Sequence, residues 1–356
     1  MSRPNRLPLA DYPARRVGLV KPSALGDIVH SLPVLRALRV RYPHAHITWV
    51  VNRAYEPLLR GHPDLDATLP FDRGALRGGL LRGCRALRTF LRGLRRCAFD
   101  LVIDLQGLLR SGLIAAASGA PRRVGLSSAR EGARWFYTDR VPVPRHPLHA
   151  VDRYWLVAEA LGVGHLPKTF FVPIAQSTRR WAREMLTAFP RPWVIMSLGT
   201  RWETKRWPVA HFTALARRIR GTFGGAVVLV GGPDESALAR EAEAQLGGPT
   251  LNLAGQTGLP QLAAVLECAD LVLANDSGPL HLAAALGRPV AAPYTCTSPW
   301  LTGPYGQTGQ AVLTSVRCAA SYLKRCGRMD CMAELTPDRL WPVVERVLAG
   351  WQRQSA

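Results

Sequence analysis

The stretch LVLANDSGPLHLAAALGRPVAAPY, residues 271–294, reads as strand, turn, helix and strand in one short run. LVLAND (271–276) and PVAAPY (289–294) are apolar runs of the kind that buried parallel strands require. Between them 279–287 has helical patterning, and Pro279 fits the first helical turn, where its missing N–H costs little. Parallel strands joined through a helix form the unit of doubly wound sheets. Ligands in such sheets sit beyond the carboxyl ends of the strands, where Asp276, Ser277, Gly278 and His281 fall. The backbone N–H groups of the Ser277–Gly278 turn can receive a phosphate or diphosphate. Gly278 permits close approach, and Ser277 and His281 can add donors. The plainer alternative is that Asp276 caps the helix and His281 packs beneath it.

The same grammar runs through the rest of the chain. PWVIMSLG (192–199) and GGAVVLVGGP (224–233) are further strands of the buried type, with helices expected over 208–220, 234–246 and 259–268. In the first half, VGLV (17–20), HITWVV (46–51) and FDLVIDLQG (99–107) are strands, and 25–40 and 109–117 are helical. At 356 residues and 47% hydrophobic, the chain can build two cores. The fold class expected is α/β, with two Rossmann-like, doubly wound domains facing a central cleft. The domains are placed at 1–172 and 173–335, with VPIAQSTRRWAREM (172–185) as the crossing. TPDRLWPVVERVLAGW begins a terminal helix, 336–356, with Thr336 as its cap and the N-terminal domain as its expected packing partner.

Three other strand ends carry polar residues. In KPSALGDIVHSLP (21–33), Ser23 and Gly26 occupy the place of a glycine loop, although GxGxxG is absent. Asp27 falls in the first turn of the next helix, with His30 one turn later. A carboxylate at a helix N-terminus is favoured in its charged form and is available as a proton acceptor; it equally serves its own helix dipole. In SLGTRWETKRWPVAHF (197–212), Thr200 and Lys205 follow a strand, and Lys205 can offer a cation to a phosphate oxygen or simply remain solvated. VGGPDES (230–236) puts Glu235 at the opening of a helix.

Lys+Arg number 46 against 25 Asp+Glu, a formal charge of +21. This favours an anionic partner, unless arginine merely populates solvated faces. Eight arginines lie between 73 and 96, interleaved with leucines, a composition suited to an anionic bilayer. Gly78, Gly79 and Gly83 weaken that segment as one continuous helix. No nucleic-acid recognition motif accompanies the charge, so nucleic acid is excluded as a partner. No apolar run reaches the roughly 20 residues of a membrane span. MSRPNRLPLADYPARR lacks the apolar centre of a secretory signal, and a cytoplasmic location is expected. Seven cysteines in this length do not indicate a disulfide scaffold.

LVKPSALGDIVHSLPVLRAL, DLVIDLQGLLRSGLIA, HAVDRYWLVAEALG, TKRWPVAHF and NDSGPLHLAAALGRPVAAPY together resemble, in order, the ADP-heptose:lipopolysaccharide heptosyltransferases of glycosyltransferase family 9. The likeness runs from about 16 to 346. It implies the GT-B fold and an inverting transfer of heptose from ADP-heptose to Kdo or heptose of the lipopolysaccharide inner core. It implies no resident cofactor and no metal motif. Residue by residue, it makes Asp27 the general base and Lys205 the group that offsets charge on the departing diphosphate. Thr200, Glu235, Asp276, Ser277, Gly278 and His281 become donor contacts. Ser23, Gly26, His30, Arg130 and Arg134 become acceptor contacts. Work on such an acceptor implies an enzyme peripheral to the inner membrane, held there through the arginines of 73–96.

Two readings compete with this one. Related GT-B transferases use other nucleotide sugars, and a non-catalytic nucleotide-sugar or glycolipid binding protein would need no carboxylate at Asp27. PDLD (63–66) looks like a metal-binding DxD but lies away from the expected nucleotide site. CAASYLKRCGRMDCM brings Cys318, Cys326 and Cys331 together at irregular spacing, open to a reduced loop, a redox pair or a metal with a fourth ligand. This segment is similar to the second heptosyltransferase type, whereas the N-terminal half is more like the first.

Overall fold

The computed structural model describes residues 7–72, 74 and 79–355. The chain divides into two compact units, Met1–Pro173 and Ile174–Ala356. The first carries six parallel strands: β1 (Arg16–Val20), β2 (His46–Asn52), β3 (Ala67–Phe71), β4 (Leu101–Asp104), β5 (Arg122–Leu126) and β6 (Asp139–Val141). Their order is β3-β2-β1-β4-β5-β6. The second unit holds β7 (Trp193–Ser197), β8 (Ala226–Val230), β9 (Thr250–Asn252), β10 (Leu271–Ala274), β11 (Val290–Tyr294) and β12 (Ala311–Leu313). Their order, β12-β11-β10-β7-β8-β9, is the same winding. Each chain half starts in the middle of its sheet, winds outward, then returns to the middle and winds the other way. The switch points are β1/β4 and β7/β10, the positions where doubly wound sheets hold ligands.

The central strands form because both faces are covered. Every residue of β7, β8, β10 and β11 is buried, which is why they read as unbroken apolar runs. The strands that periodicity did not announce are mostly outer ones, β3, β9 and β12, short and only partly covered. β5 was hidden differently: its sequence is RRVGL, and Arg122 is buried with Asp139 on β6 paired to it at 2.7 Å and the Leu7 carbonyl accepting from it at 2.9 Å.

The expected helix over 25–40 is two helices, Leu25–Val29 and Leu32–Arg41. Pro33 cannot donate to the carbonyl of Val29 and its ring would meet that turn, so the ladder stops and restarts. The arginine-rich segment forms one helix, Leu80–Arg96, opening after Gly79. Arg73 and Arg77 lie outside the described residues. The inner face of this helix, Phe90 and Leu94, joins Val20, Val50, Val102 and Ile114 in one core cluster.

The terminal helix, Pro337–Ser355, was expected on the N-terminal domain, but its apolar face is buried in the second unit's own core. Leu340, Trp341, Val344 and Leu348 pack there with Phe212, Leu215 and Ile219 of helix Val209–Phe223. Burial of each such side chain contributes about 1.5–3 kcal/mol, enough to anchor the helix where it is.

Candidate active site

In the first unit, β1 ends at Val20 and the chain turns through Lys21–Ala24 into the helix that carries Asp27. Asp27 Oδ2 accepts the Ala24 N–H at 3.1 Å, and Oδ1 accepts the Tyr154 hydroxyl at 2.9 Å. Lys21 Nζ stands 3.3 Å from Oδ1. The same ammonium donates to the Tyr154 hydroxyl oxygen at 2.7 Å and to the Leu105 carbonyl at 3.1 Å. Lys21 is 1% exposed and the Asp27 side chain 39%, so the carboxylate can meet a ligand and the ammonium cannot. Burial pushes the Asp27 carboxyl up, but Lys21, the Ala24 N–H, His30 and Tyr154 outweigh it and hold the carboxyl down at about 2. Burial pulls Lys21 the other way, yet Asp27 and Tyr154 leave it raised. The result is a carboxylate ionised throughout the neutral range: always able to accept, and a weak base.

The other first-unit residues lie at the same sheet edge. The Ser23 N–H donates to Gln106 Oε1 across the β1/β4 switch point, at 3.4 Å. Gly26 is buried in the first turn. His30 is buried and packs edge-on against His149, with ring centroids 5.3 Å apart. Arg130 and Arg134 follow β5 with exposed side chains, and the Arg130 N–H donates to the Gly107 carbonyl at 2.8 Å.

In the second unit, Lys205 follows β7 and Asp276 follows β10, so the switch point brings them together at 2.6 Å. The Asp276 carboxylate also contacts His281 Nε2 at 3.2 Å and accepts from the hydroxyls of Thr297 at 2.7 Å and Tyr294 at 3.3 Å. Burial pushes its carboxyl up; His281 and Lys205 more than reverse this and hold it far below the ordinary range. With four partners, Asp276 organises Lys205 and His281 rather than offering itself to an anion. Ser277 stands at the N-cap position of helix Gly278–Ala285 without a side-chain cap bond, and its Oγ is buried with no hydrogen-bond partner among the described residues. Pro279 is in the first turn, as its ring requires. Thr200 follows β7, and its carbonyl accepts from Arg206 at 3.0 Å.

Glu235 ends the turn after β8, and its Oε2 accepts the Gly232 N–H at 3.0 Å. Burial raises its carboxyl despite that hydrogen bond. A Cβ at Gly199 would overlap this carboxylate, and one at Gly231 would come within 2.6 Å. Two strand-end glycines therefore make the space that Glu235 fills.

Sequence reasoning missed several partners. Lys21 had one local sign, a lysine closing an apolar strand. Tyr154, 127 residues from Asp27, had none. Trp202 carries Lys205 Nζ 4.5 Å from its ring centroid and Lys324 Nζ at 5.2 Å, making a two-cation cluster that no motif encodes. Among the described residues no group of three or more His, Cys, Asp or Glu is arranged to hold a metal ion. A cavity of about 460 Å³, lined by Asp270, Arg288, Gln307 and Trp351, lies at the amino ends of β10 and β11, the edge opposite to Asp276.

Residues 87–332 match glycosyltransferase family 9 (heptosyltransferase). Lipopolysaccharide heptosyltransferase 1 of Pseudomonas aeruginosa is 34% identical over 87% of this chain and 87% of its own. The chain belongs to glycosyltransferase family 9. Lipopolysaccharide heptosyltransferase 2 of Salmonella typhimurium is 28% identical over 94% of this chain and 99% of its own. Among solved structures, a family 9 glycosyltransferase from Veillonella parvula superposes with a TM-score of 0.81 at 24% identity, covering 94% of this chain and 98% of that one, a likeness of fold. The E. coli heptosyltransferase WaaC with ADP gives a TM-score of 0.72 at 26% identity, covering 93% of this chain and 99% of that one. The family 9 chain is thus a glycosyltransferase with the two doubly wound units of the GT-B class. No helix among the described residues is long and apolar enough to cross a membrane.

Proposed function

We propose that this chain transfers heptose from ADP-heptose to Kdo or heptose in the inner core of lipopolysaccharide, in one inverting displacement. The acceptor hydroxyl oxygen attacks the anomeric carbon as the bond from that carbon to the diphosphate oxygen breaks. The hydroxyl proton passes to Asp27 and ADP departs. Because Asp27 is a weak base, proton transfer trails bond formation rather than preceding it. Lys205, the Ser277 hydroxyl and the N–H groups opening helix Gly278–Ala285 meet the charge that develops on the diphosphate. Glu235 and Thr200 complete the donor contacts, while Ser23, Gly26, His30, Arg130 and Arg134 receive the acceptor.

The single observation behind this reading is the Lys205–Asp276–His281 cluster at the β7/β10 switch point of a family 9 chain. The named relatives, lipopolysaccharide heptosyltransferases, support heptose as the group moved and lipopolysaccharide as the acceptor, and the WaaC structure with ADP supports the nucleotide. No resident metal is needed, since Lys205 and the helix N-terminus carry the compensating charge. The acceptor's lipid anchor puts the enzyme at the inner-membrane surface, where the arginines of helix Leu80–Arg96 meet anionic headgroups.

The test is transfer from ADP-heptose to purified Kdo–lipid A and to its heptosylated form, read by mass spectrometry. Transfer to one of them, undiminished by a chelator, is the expected result. Asp27→Ala should lower kcat by about 10²–10⁴-fold with ADP affinity unchanged, and Lys205→Ala should weaken ADP binding and slow transfer. Turnover retained in Asp27→Ala would remove that carboxylate from the base role.

A further inference from the structure

Four cysteines that this reaction does not use line one small cavity of about 20 Å³: Cys296 just after β11, Cys318 and Cys326 of the loop after β12, and Cys331 in the short helix Asp330–Glu334 that ends it. All four are free thiols, and they differ in access: Cys318 is exposed, Cys326 half-buried, and Cys296 and Cys331 buried. They differ in reactivity as well. Backbone N–H groups of Met329 and Arg328 point at the Cys326 sulfur and draw its thiol below the usual value. Burial, then the neighbouring Cys318, Cys326 and Cys296, push the Cys331 thiol up. A partly accessible thiol that ionises more readily than usual, sharing a cavity with a buried one that ionises less readily, is the pairing that oxidation converts to a disulfide.

The loop is also fastened to the turn that carries Lys205. Thr204 donates its hydroxyl to the Leu323 carbonyl at 2.6 Å and lies 3.3 Å from Cys296 Sγ. Thr295 in turn donates to the Thr204 carbonyl. The Tyr322 N–H donates to the Cys296 carbonyl at 2.7 Å and the Ala320 N–H to the Thr295 carbonyl at 3.0 Å. Whatever rearranges residues 318–331 pulls on the neighbour of Lys205.

We propose that this loop is a reversible thiol switch, in which Cys326 and Cys331 close a disulfide on reaction with hydrogen peroxide and so loosen the Lys205 turn. The Cys326 thiolate attacks one peroxide oxygen; the O–O bond breaks, hydroxide leaves and takes a proton as water, and Cys326 becomes a sulfenic acid. The Cys331 sulfur then attacks the sulfenic sulfur and expels a second water. Two thiols lose two electrons and two protons, and one peroxide becomes two waters. A dithiol reductant reverses the step by exchange.

The effect on ADP rests on the donor-site reading above; the disulfide does not. Peroxide treatment of the full chain should remove two thiols per molecule, restored by dithiothreitol, and peptide mapping should find Cys326 joined to Cys331. Cys326→Ser and Cys331→Ala should both abolish that link, and Cys318→Ser should keep it. An unchanged thiol count, a link through Cys318 or Cys296, or a terminal sulfinate at Cys326 would overturn the switch. Loss of about one hydrogen bond's support at Thr204 should weaken ADP binding by about fivefold in the oxidised protein, and leave peroxide-treated Cys326→Ser unaffected. Equal ADP affinity in the two redox states would overturn the coupling. Reduced protein that fails to bind ADP at all would instead count against the donor site, with the thiol count still deciding the switch.

Discussion

Asp27 and Asp276 show how two carboxylates near the switch points of their sheets are held in different surroundings. Asp27 sits in the first turn of the helix after β1 and Asp276 in the turn after β10, each beside its sheet's switch point, and each is ionised because cationic or donor neighbours outweigh burial. Asp27 remains accessible, and Lys21, its largest stabilising partner, is sealed behind it. Lys21→Met removes that partner and leaves the burial. The Asp27 carboxyl should therefore rise from about 2, and the acid limb of the kcat/KM–pH profile should move upward. An acid limb identical to wild type would show that Lys21 does not tune the base. Asp276 is held below its ordinary value when folded, so its stabilisation is complete above about pH 3.9, the unfolded value, and is lost as pH falls below that. Asp276→Ala should cost about 3–5 kcal/mol at neutral pH by stranding Lys205, measured by urea denaturation, and should flatten the loss of stability in acid. Asp276, Ser277, Gly278 and His281 were legible as a motif. The Tyr154, Tyr294 and Thr297 hydroxyls were not, because each reaches its carboxylate only after the chain has folded.

At the scale of elements, the buried central strands were readable and the others were not, for a physical reason. A strand covered on both faces must be apolar throughout. A short outer strand, or one like β5 whose arginine is neutralised by a neighbour, has no such obligation. β5 makes this concrete. A Cβ at Gly125 would overlap the ring of Tyr137, whose hydroxyl donates at 2.7 Å to the buried carboxylate of Asp104, the last residue of β4. Gly125→Ala should displace that ring, leave Asp104 short of a donor and cost about 2–4 kcal/mol, read from the shift in denaturation midpoint. Gly125→Ala combined with Tyr137→Leu should cost less than the sum of the two single changes. The break at Pro33 was visible in the residue itself, yet apolar spacing alone carried the expected helix straight through it.

For the whole molecule, two sheets with one winding order and a formal charge of +21 are the governing facts. Part of that charge lies along one helix: Arg82, Arg85, Arg88, Arg92, Arg95 and Arg96 are exposed on Leu80–Arg96, with Leu81 and Leu87 also exposed on it. The full chain should sediment with vesicles rich in anionic phosphatidylglycerol and be released as salt rises. Replacing Arg85, Arg88 and Arg92 by Gln should weaken binding by about 1 kcal/mol per residue. Equal binding to neutral vesicles would contradict an electrostatic contact.

The sequence by itself determined that two parallel doubly wound sheets would form and where their polar ends would lie, because buried strands and strand-to-helix turns leave strong local marks. It also placed Asp27, Lys205 and the 276–281 signature at those polar ends. Tertiary structure alone decided which groups share each carboxylate, which core receives the terminal helix, and that Cys296 joins three distant thiols. Those outcomes depend on distances between atoms far apart along the chain, which local periodicity does not encode.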